Sequence, residues 1–261
     1  MTERRTGLEG LTALITGASR GLGAVIAERL AADGATVVVN YRRERGRAQD
    51  VVDRIRSAGG RALAIQADVT IESDVQRLFA ESIAEAGPVR LLVNNAGILT
   101  RGRIADLSAD GWDEMMTSHL RSGFLVTREF LRSGLLELPL IDDRRVAGKI
   151  VTISSGVVPA AGRSAIGQVH YLAAKSGLEG FSRGLAGELA ENRITVNLVQ
   201  PGVHFTDMAT AITAEERAFL EEIFLLGLPR DEDVAGSVAF LLSADADHLT
   251  GECLKPNGGS A

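Results

Sequence analysis

The stretch Thr12-Ala13-Leu14-Ile15-Thr16-Gly17-Ala18-Ser19-Arg20-Gly21-Leu22-Gly23 decides the fold of this chain. Its first part is a short apolar run of the kind that forms a buried strand, and the residues from Leu22 onward have the spacing of a helix. Between the two stands a turn built on Gly17, Gly21 and Gly23, where the missing Cβ lets the backbone bend sharply and approach a ligand. The first amides of the following helix are unpaired donors at the positive end of a dipole, which suits a pyrophosphate. A glycine-rich turn alone is a loose signal. Its place directly after a first strand and before a helix points to nucleotide binding.

The same alternation continues outward. Apolar runs at 12–16, 36–40, 62–66, 91–94, 149–154, 195–198 and 253–255 read as strands, and 22–32, 45–57, 73–86, 109–131, 171–190 and 231–242 read as helices. Gly34, Gly59 and Gly87 end three of those helices. Strand and helix in strict alternation predict parallel pairing through right-handed crossovers. The expected architecture is α/β: a single doubly wound Rossmann-type domain over residues 1–261, with a central seven-stranded parallel sheet flanked by helices. Two connections stand outside that plan, 134–148 and 202–230, and the second is expected to act as a substrate lid. Open α/β sheets bind ligands at such strand-end connections.

Composition bounds the rest. The chain has 261 residues, 45% of them hydrophobic, with 29 Gly and only 4% aromatic, which suits aliphatic strands and many tight turns. Its 28 basic and 34 acidic residues are interspersed, so no broad basic field exists for nucleic acid or an anionic membrane. The lone Cys253 excludes an internal disulfide, offers no cysteine cluster for zinc, and argues for a reducing compartment. No metal site is expected. The first residues lead into no apolar signal region and no apolar run has membrane-spanning length, so a cytoplasmic location is expected.

Acid/base chemistry is written in His170-Tyr171-Leu172-Ala173-Ala174-Lys175, where a spacing of four puts phenol and ammonium on one helix face. A cation beside a phenol stabilises phenolate and should draw its pKa down toward the working range. At the end of the second strand, a fold that takes NAD normally presents a carboxylate to the ribose hydroxyls. Here Val39-Asn40-Tyr41-Arg42-Arg43 has none. Arg20 and Arg42 suit a 2′-phosphate instead, which favours NADP(H) over NAD(H). Asp68, in Ala67-Asp68-Val69, is placed either to accept from the adenine amine or to cap a helix.

Thr16-Gly17-x-x-x-Gly21-x-Gly23, Asn94-Asn95-Ala96-Gly97, a Ser-containing fifth strand, Tyr171-x-x-x-Lys175 and Pro201-Gly202 follow one another over essentially the whole chain. In that order they resemble the short-chain dehydrogenases/reductases of the classical type, and most of all the branch of bacterial 3-oxoacyl-carrier-protein reductases and glucose dehydrogenases. The resemblance implies an NADP-dependent oxidoreductase interconverting a ketone and a secondary alcohol, with a substrate of 3-oxoacyl or secondary-metabolite type. It implies that Tyr171 is the general acid or base, that Lys175 lowers its pKa and holds the nicotinamide ribose, and that Ser155 hydrogen-bonds the substrate oxygen. Asn94, Ala96 and Gly97 would line the cofactor, with Asn95 tying strands together, and Val203 and Thr206 after Pro201-Gly202 would meet the carboxamide. Gly17, Ser19, Arg20, Gly21, Leu22, Gly23, Asn40, Tyr41, Arg42, Asp68 and Val69 complete the expected cofactor set. A homotetramer, or a homodimer, is expected from the likeness of helices 109–131 and 171–190 to those that pair across subunits in the family.

Two features depart from the family pattern. In Met116-Thr117-Ser118-His119-Leu120, His119 stands where the family usually has an Asn that anchors a water in a proton relay from Lys175. A neutral imidazole offers one donor and one acceptor for that role, with a titration near physiological pH; a satisfied interior histidine is the alternative. Second, 16 residues separate Ser155 from Tyr171, about three more than the usual motif. The extra length should loop out within 157–169, helped by Pro159, Gly162 and Gly167, and form one wall of the substrate pocket. Ser154 and Ser164 stay open as substitutes for Ser155. His170 and His204 read as structural. Phe219, Ile223, Phe224, Leu225 and Leu226 make 207–230 either an apolar lid or an amphipathic packing helix. His119 and the longer loop leave room for a second reading, a catalytically impaired NADP-binding sensor or scaffold.

Overall fold

The structure is a computed structural model that describes residues 7–141, 144–160, 166–202, 224–227 and 229–259. Among these, β1 (Thr12–Ile15), β2 (Thr36–Tyr41), β3 (Arg61–Gln66), β4 (Val89–Asn94), β5 (Gly148–Ile153), β6 (Ile194–Val199) and β7 (Cys253–Leu254) form one seven-stranded sheet in the order β3-β2-β1-β4-β5-β6-β7. All pairings are parallel. Helices α1 (Gly21–Ala32), α2 (Arg45–Ser57) and α3 (Glu72–Ala86) alternate with the first four strands. Then come α4 (Ala109–Met116), α5 (Ser122–Arg132), the short α6 (Val157–Ala160), α7 (Val169–Glu188) and α8 (Asp231–Leu242).

Side chains alternate across each strand and so feed two cores. Ala13, Ile15, Val37, Val39, Leu91 and Val93 pack under α1 and α8 with Ile26, Leu30 and Val238. Leu14, Val38, Leu92, Ile150 and Val196 pack on the other face with Leu78, Phe79 and Phe130. Helices on both faces explain why the strands read as continuous aliphatic runs. The strand order reverses between β1 and β4, so the crevice for a ligand opens at their carboxyl ends. That is where the Gly17 turn and Asn94 to Gly97 emerge.

The sequence pattern predicts one helix over 109–131, and the structure divides it. A π-helical turn, Thr117–Arg121, separates α4 from α5. The Ser122 hydroxyl donates to Ser118 O at 2.8 Å and to His119 O at 3.1 Å, a back-bond that supports the widened turn. Isolated π turns of this kind gather at functional sites. This one carries His119.

At the opposite end of the sheet, the 134–148 connection returns a buried arginine. Arg144 Nε donates to both oxygens of Asp247 at 3.1 Å, and Nη2 donates to Leu242 O at 3.1 Å and Ser243 O at 3.0 Å. Lys149 Nζ donates to Leu241 O at 3.2 Å and Ser243 O at 2.7 Å, and lies 2.9 Å from Asp247 Oδ1. Two cations thus satisfy the last carbonyls of α8, where the helix dipole is negative. Among the described residues no helix is long and apolar enough to cross a membrane.

Candidate active site

The glycine turn is shaped by close approach. Gly17 has φ +64° and Gly21 φ +54°. A Cβ on Gly17 would lie 3.0 Å from Ala96 Cα, and one on Gly23 would lie 2.6 Å from Asn95 Nδ2 and 2.7 Å from Gly17 O. Asn95 Nδ2 donates to Thr16 O at 2.9 Å and Gly17 O at 3.2 Å, while Thr16 Oγ1 accepts from the amides of Asn95 and Ala96 at 3.0 Å each. Asn95 therefore ties the ends of β1 and β4 together, as expected. Ser19, Gly21 and Leu22 are half-buried at the turn. The side chain of Arg20, the residue before α1, makes no capping bond to that helix. An uncapped helix start behind a cradle that side chains would fill fits the pyrophosphate of a dinucleotide.

Asn40 serves this turn from beneath. Its Oδ1 accepts from Gly17 N at 3.2 Å and its Nδ2 donates to Ala67 O at 3.2 Å, and it is only 2% exposed. Tyr41 is buried as well. Arg42, by contrast, is exposed, and its Nη1 lies 3.8 Å from Asp68 Oδ2. The other Asp68 oxygen accepts from Thr70 N at 3.0 Å and Thr70 Oγ1 at 2.7 Å. The residue that precedes α3 is Ile71, so Asp68 closes a local turn and the capping alternative is not adopted. Val69 is buried behind it and shares a small cavity with Asn94, Ala96 and His119.

The proton-handling groups converge at the ends of β4 and β5. Burial pushes the Tyr171 phenol above its ordinary pKa, and a hydrogen bond from the Ser155 hydroxyl pulls the other way. Lys175 Nζ donates to Ile153 O at 2.7 Å and stands 5.7 Å from the centre of the Tyr171 ring. Burial brings the Lys175 ammonium down to about 8, with the Glu179 charge opposing. The expectation that Lys175 draws the phenol down is corrected here. Its ammonium lies over the ring and hydrogen-bonds a strand carbonyl, so desolvation dominates Tyr171.

His119 is buried, and its ring meets Tyr171 edge-on, with centres 5.3 Å apart at 81°. Nε2 lies 2.7 Å from Ile98 O and 3.2 Å from Ile98 N, while Nδ1 has no partner among the described residues. Burial first, then the Lys175 charge, takes His119 down to about 3. It is therefore neutral throughout the physiological range, which corrects the expected titration there. The ring edge occupies the side-chain space of Gly97: a Cβ there would lie 2.1 Å from His119 Cε1. Gly97→Ala is expected to cost about 1–3 kcal/mol through overpacking, and the shorter side chain of His119→Asn should recover most of it. Thermal melts of the single and double variants check this; additive losses would mean the two positions do not collide.

Ser154 is removed as a substitute for Ser155, because its hydroxyl donates to Glu179 Oε1 at 2.6 Å. Ser164 and Gly162 lie outside the described residues, as do Val203, His204, Thr206, Phe219, Ile223 and most of the expected lid at 202–230. Phe224 is buried, and Leu225 and Leu226 are exposed. Pro201 O accepts from Gly156 N at 2.7 Å, so Pro201-Gly202 adjoins Ser155. Sequence reading missed two features of the surroundings. His170 Nε2 pairs with Thr100 Oγ1 at 2.9 Å, and Gly102 N donates to Gly167 O at 2.9 Å, clipping the long approach to Tyr171 onto the loop after β4. Glu179 is the other.

A doubly wound parallel sheet with a phosphate cradle at its switch point and Ser, Tyr and Lys gathered beside it defines a dinucleotide-dependent oxidoreductase. The family model for short chain dehydrogenases matches residues 11–217, and the chain belongs to that family. It is 38% identical over 252 residues to the 3-oxoacyl-(acyl-carrier-protein) reductase FabG of Salmonella typhimurium, covering 96% of this chain and 97% of that protein. A dehydrogenase/reductase from Sinorhizobium meliloti 1021 superposes with a TM-score of 0.89 at 35% identity, over 100% of this chain and 99% of that one. A blue fluorescent protein from a metagenomic library, solved in complex with NADPH, gives 0.87 at 35% identity over 98% and 99%.

Proposed function

We propose that the protein is an NADP(H)-dependent ketoreductase that interconverts a ketone and a secondary alcohol, with a 3-oxoacyl thioester as the substrate type. The observation that carries this reading is the phenol of Tyr171, hydrogen-bonded by Ser155 and flanked by the Lys175 ammonium. Likeness to a 3-oxoacyl reductase supports the substrate type.

When bound, the dinucleotide supplies the hydride. The Gly17 to Gly23 turn would hold its pyrophosphate, Arg42 with Arg20 its 2′-phosphate, and Asp68 with Val69 its adenine. Asn94, Ala96 and Gly97 would run along it, with Lys175 at the ribose and Pro201, Gly202, Val203 and Thr206 at the carboxamide. Tyr171 then gives its proton to the carbonyl oxygen, and Ser155 donates to that oxygen as charge develops on it. Burial favours the neutral phenol, the form that gives up its proton in reduction. Neutral His119 packs edge-on against the ring.

The sensor or scaffold reading is not favoured, because Ser155, Tyr171 and Lys175 are assembled. Subunit pairing through α4, α5 and α7 is supported by the exposed Trp112 and Phe124. NADPH consumption over a panel of 3-oxoacyl thioesters and simple ketones tests the activity; bound NADPH without turnover on any of them would overturn it. For the cofactor, Arg42→Ala is expected to weaken NADPH by about tenfold or more, as loss of a charge-assisted bond does, while NADH binding stays within about twofold. Fluorescence titrations decide, and equal losses for both would remove Arg42 from the 2′-phosphate.

A further inference from the structure

Glu179 is a buried acid that the proton chemistry above does not use. It lies one turn beyond Lys175 on α7 and is 5% exposed, where an uncompensated carboxylate would be costly. Its partners are all donors, the set a carboxylate needs. Ser154 Oγ donates to Oε1 at 2.6 Å, the Gln200 amide donates to the same oxygen, and Arg183 Nη2 stands 3.6 Å from Oε2.

Those partners sit at strand ends. Ser154 follows the last residue of β5 and directly precedes Ser155, while Gln200 follows β6 and precedes Pro201-Gly202. One turn earlier on the helix, Lys175 grips Ile153 O. Successive turns of the helix that carries Tyr171 therefore hold successive residues of the strand end that delivers Ser155. Charge adds a second link. Around Lys175 stand the Glu179 carboxylate and Tyr171 on its own helix, neutral His119 from the π turn, and the Ile153 carbonyl of β5. Around Glu179 stand Lys175 and Arg183 of α7, Ser154, Gln200 and Cys253 of β7, whose thiol is pushed up to about 11 by burial and then by the Glu179 charge.

We infer that Glu179 is a positioning residue of the reductase site: it sets Ser155 through Ser154 and supplies the counter-charge for Lys175. The inference rests on the ketoreductase reading of the same site, and its test has a readout that needs no turnover. The chain contains only three lysines, Lys149, Lys175 and Lys255, so lysine labelled with carbon-13 at Cε gives a spectrum simple enough to follow Lys175, assigned with Lys175→Arg. In Glu179→Gln, which keeps the shape and one acceptor oxygen but not the charge, the Lys175 resonance should titrate roughly one pH unit lower than in the wild type. The alkaline limb of kcat should move with it, and Glu179→Asp should restore both. Ser154→Ala keeps the charge, so Lys175 should titrate as in the wild type while kcat falls about tenfold. A Lys175 resonance unmoved in Glu179→Gln, or an unchanged kcat in Ser154→Ala, would overturn the proposal. Absence of turnover in the wild type would instead overturn the ketoreductase reading, and the lysine titration would still report on Glu179.

Discussion

Tyr171→Phe is expected to lower ketone reduction by about a thousandfold while leaving NADPH affinity within about twofold, the range in which a positioned general acid contributes. The expectation follows from what the ring does apart from its hydroxyl. It packs edge-on against His119 and lies under the Lys175 ammonium, and phenylalanine keeps both contacts. Only the proton and the bond from Ser155 are lost. Steady-state rates beside NADPH fluorescence titrations of the same preparation separate chemistry from binding. Turnover near the wild-type rate would exclude Tyr171 as the proton donor.

At the other end of the sheet, Asp247→Asn is expected to destabilise the fold by about 3–5 kcal/mol, as loss of one partner from a buried ion pair does. That corresponds to a fall of about 10 °C in Tm for a chain of this size. The effect is large because Arg144 and Lys149 are 4% and 0% exposed in their side chains and share that carboxylate. Burial alone would raise the Asp247 pKa, but the bonds from Arg144 and Lys149 outweigh it and hold the carboxyl below the usual range. Its contribution is therefore present above the ordinary carboxylate pKa and is lost as pH falls through the lowered value. Lys149 acts in the same sense at higher pH. Burial, against the pull of Asp247, brings it from 10.5 to about 8, so between those values the unfolded chain binds the extra proton and stability rises with pH. Thermal melts at several pH values check both signs. A variant as stable as the wild type would mean that Asp247 does not neutralise the buried cations.

The glycine turn, the strand alternation and the Tyr171 to Lys175 spacing were legible because each is local: period, missing Cβ and helical repeat are properties of a few neighbouring residues. The helix over 109–131 was legible in its limits and not in its interior, since the π turn depends on the Ser122 back-bond and on what His119 packs against. The preference for Ser155 over Ser154 was legible only from its place at the strand's end, and the partners of the two were not legible. Two adjacent hydroxyls look alike in a sequence, and only the folded surroundings give one to Glu179 and the other to Tyr171.

By itself, then, the sequence determined the doubly wound α/β fold, the phosphate turn at its first strand and the residue types of an oxidoreductase site. Tertiary structure decided the charge states and the partners: a neutral His119, a phenol raised by burial, Arg144 paired with Asp247 across 103 residues, and Glu179 placed beneath Lys175. The physical reason is that desolvation and buried pairing depend on everything packed around a group, and the chain assembles those surroundings from segments far apart in sequence.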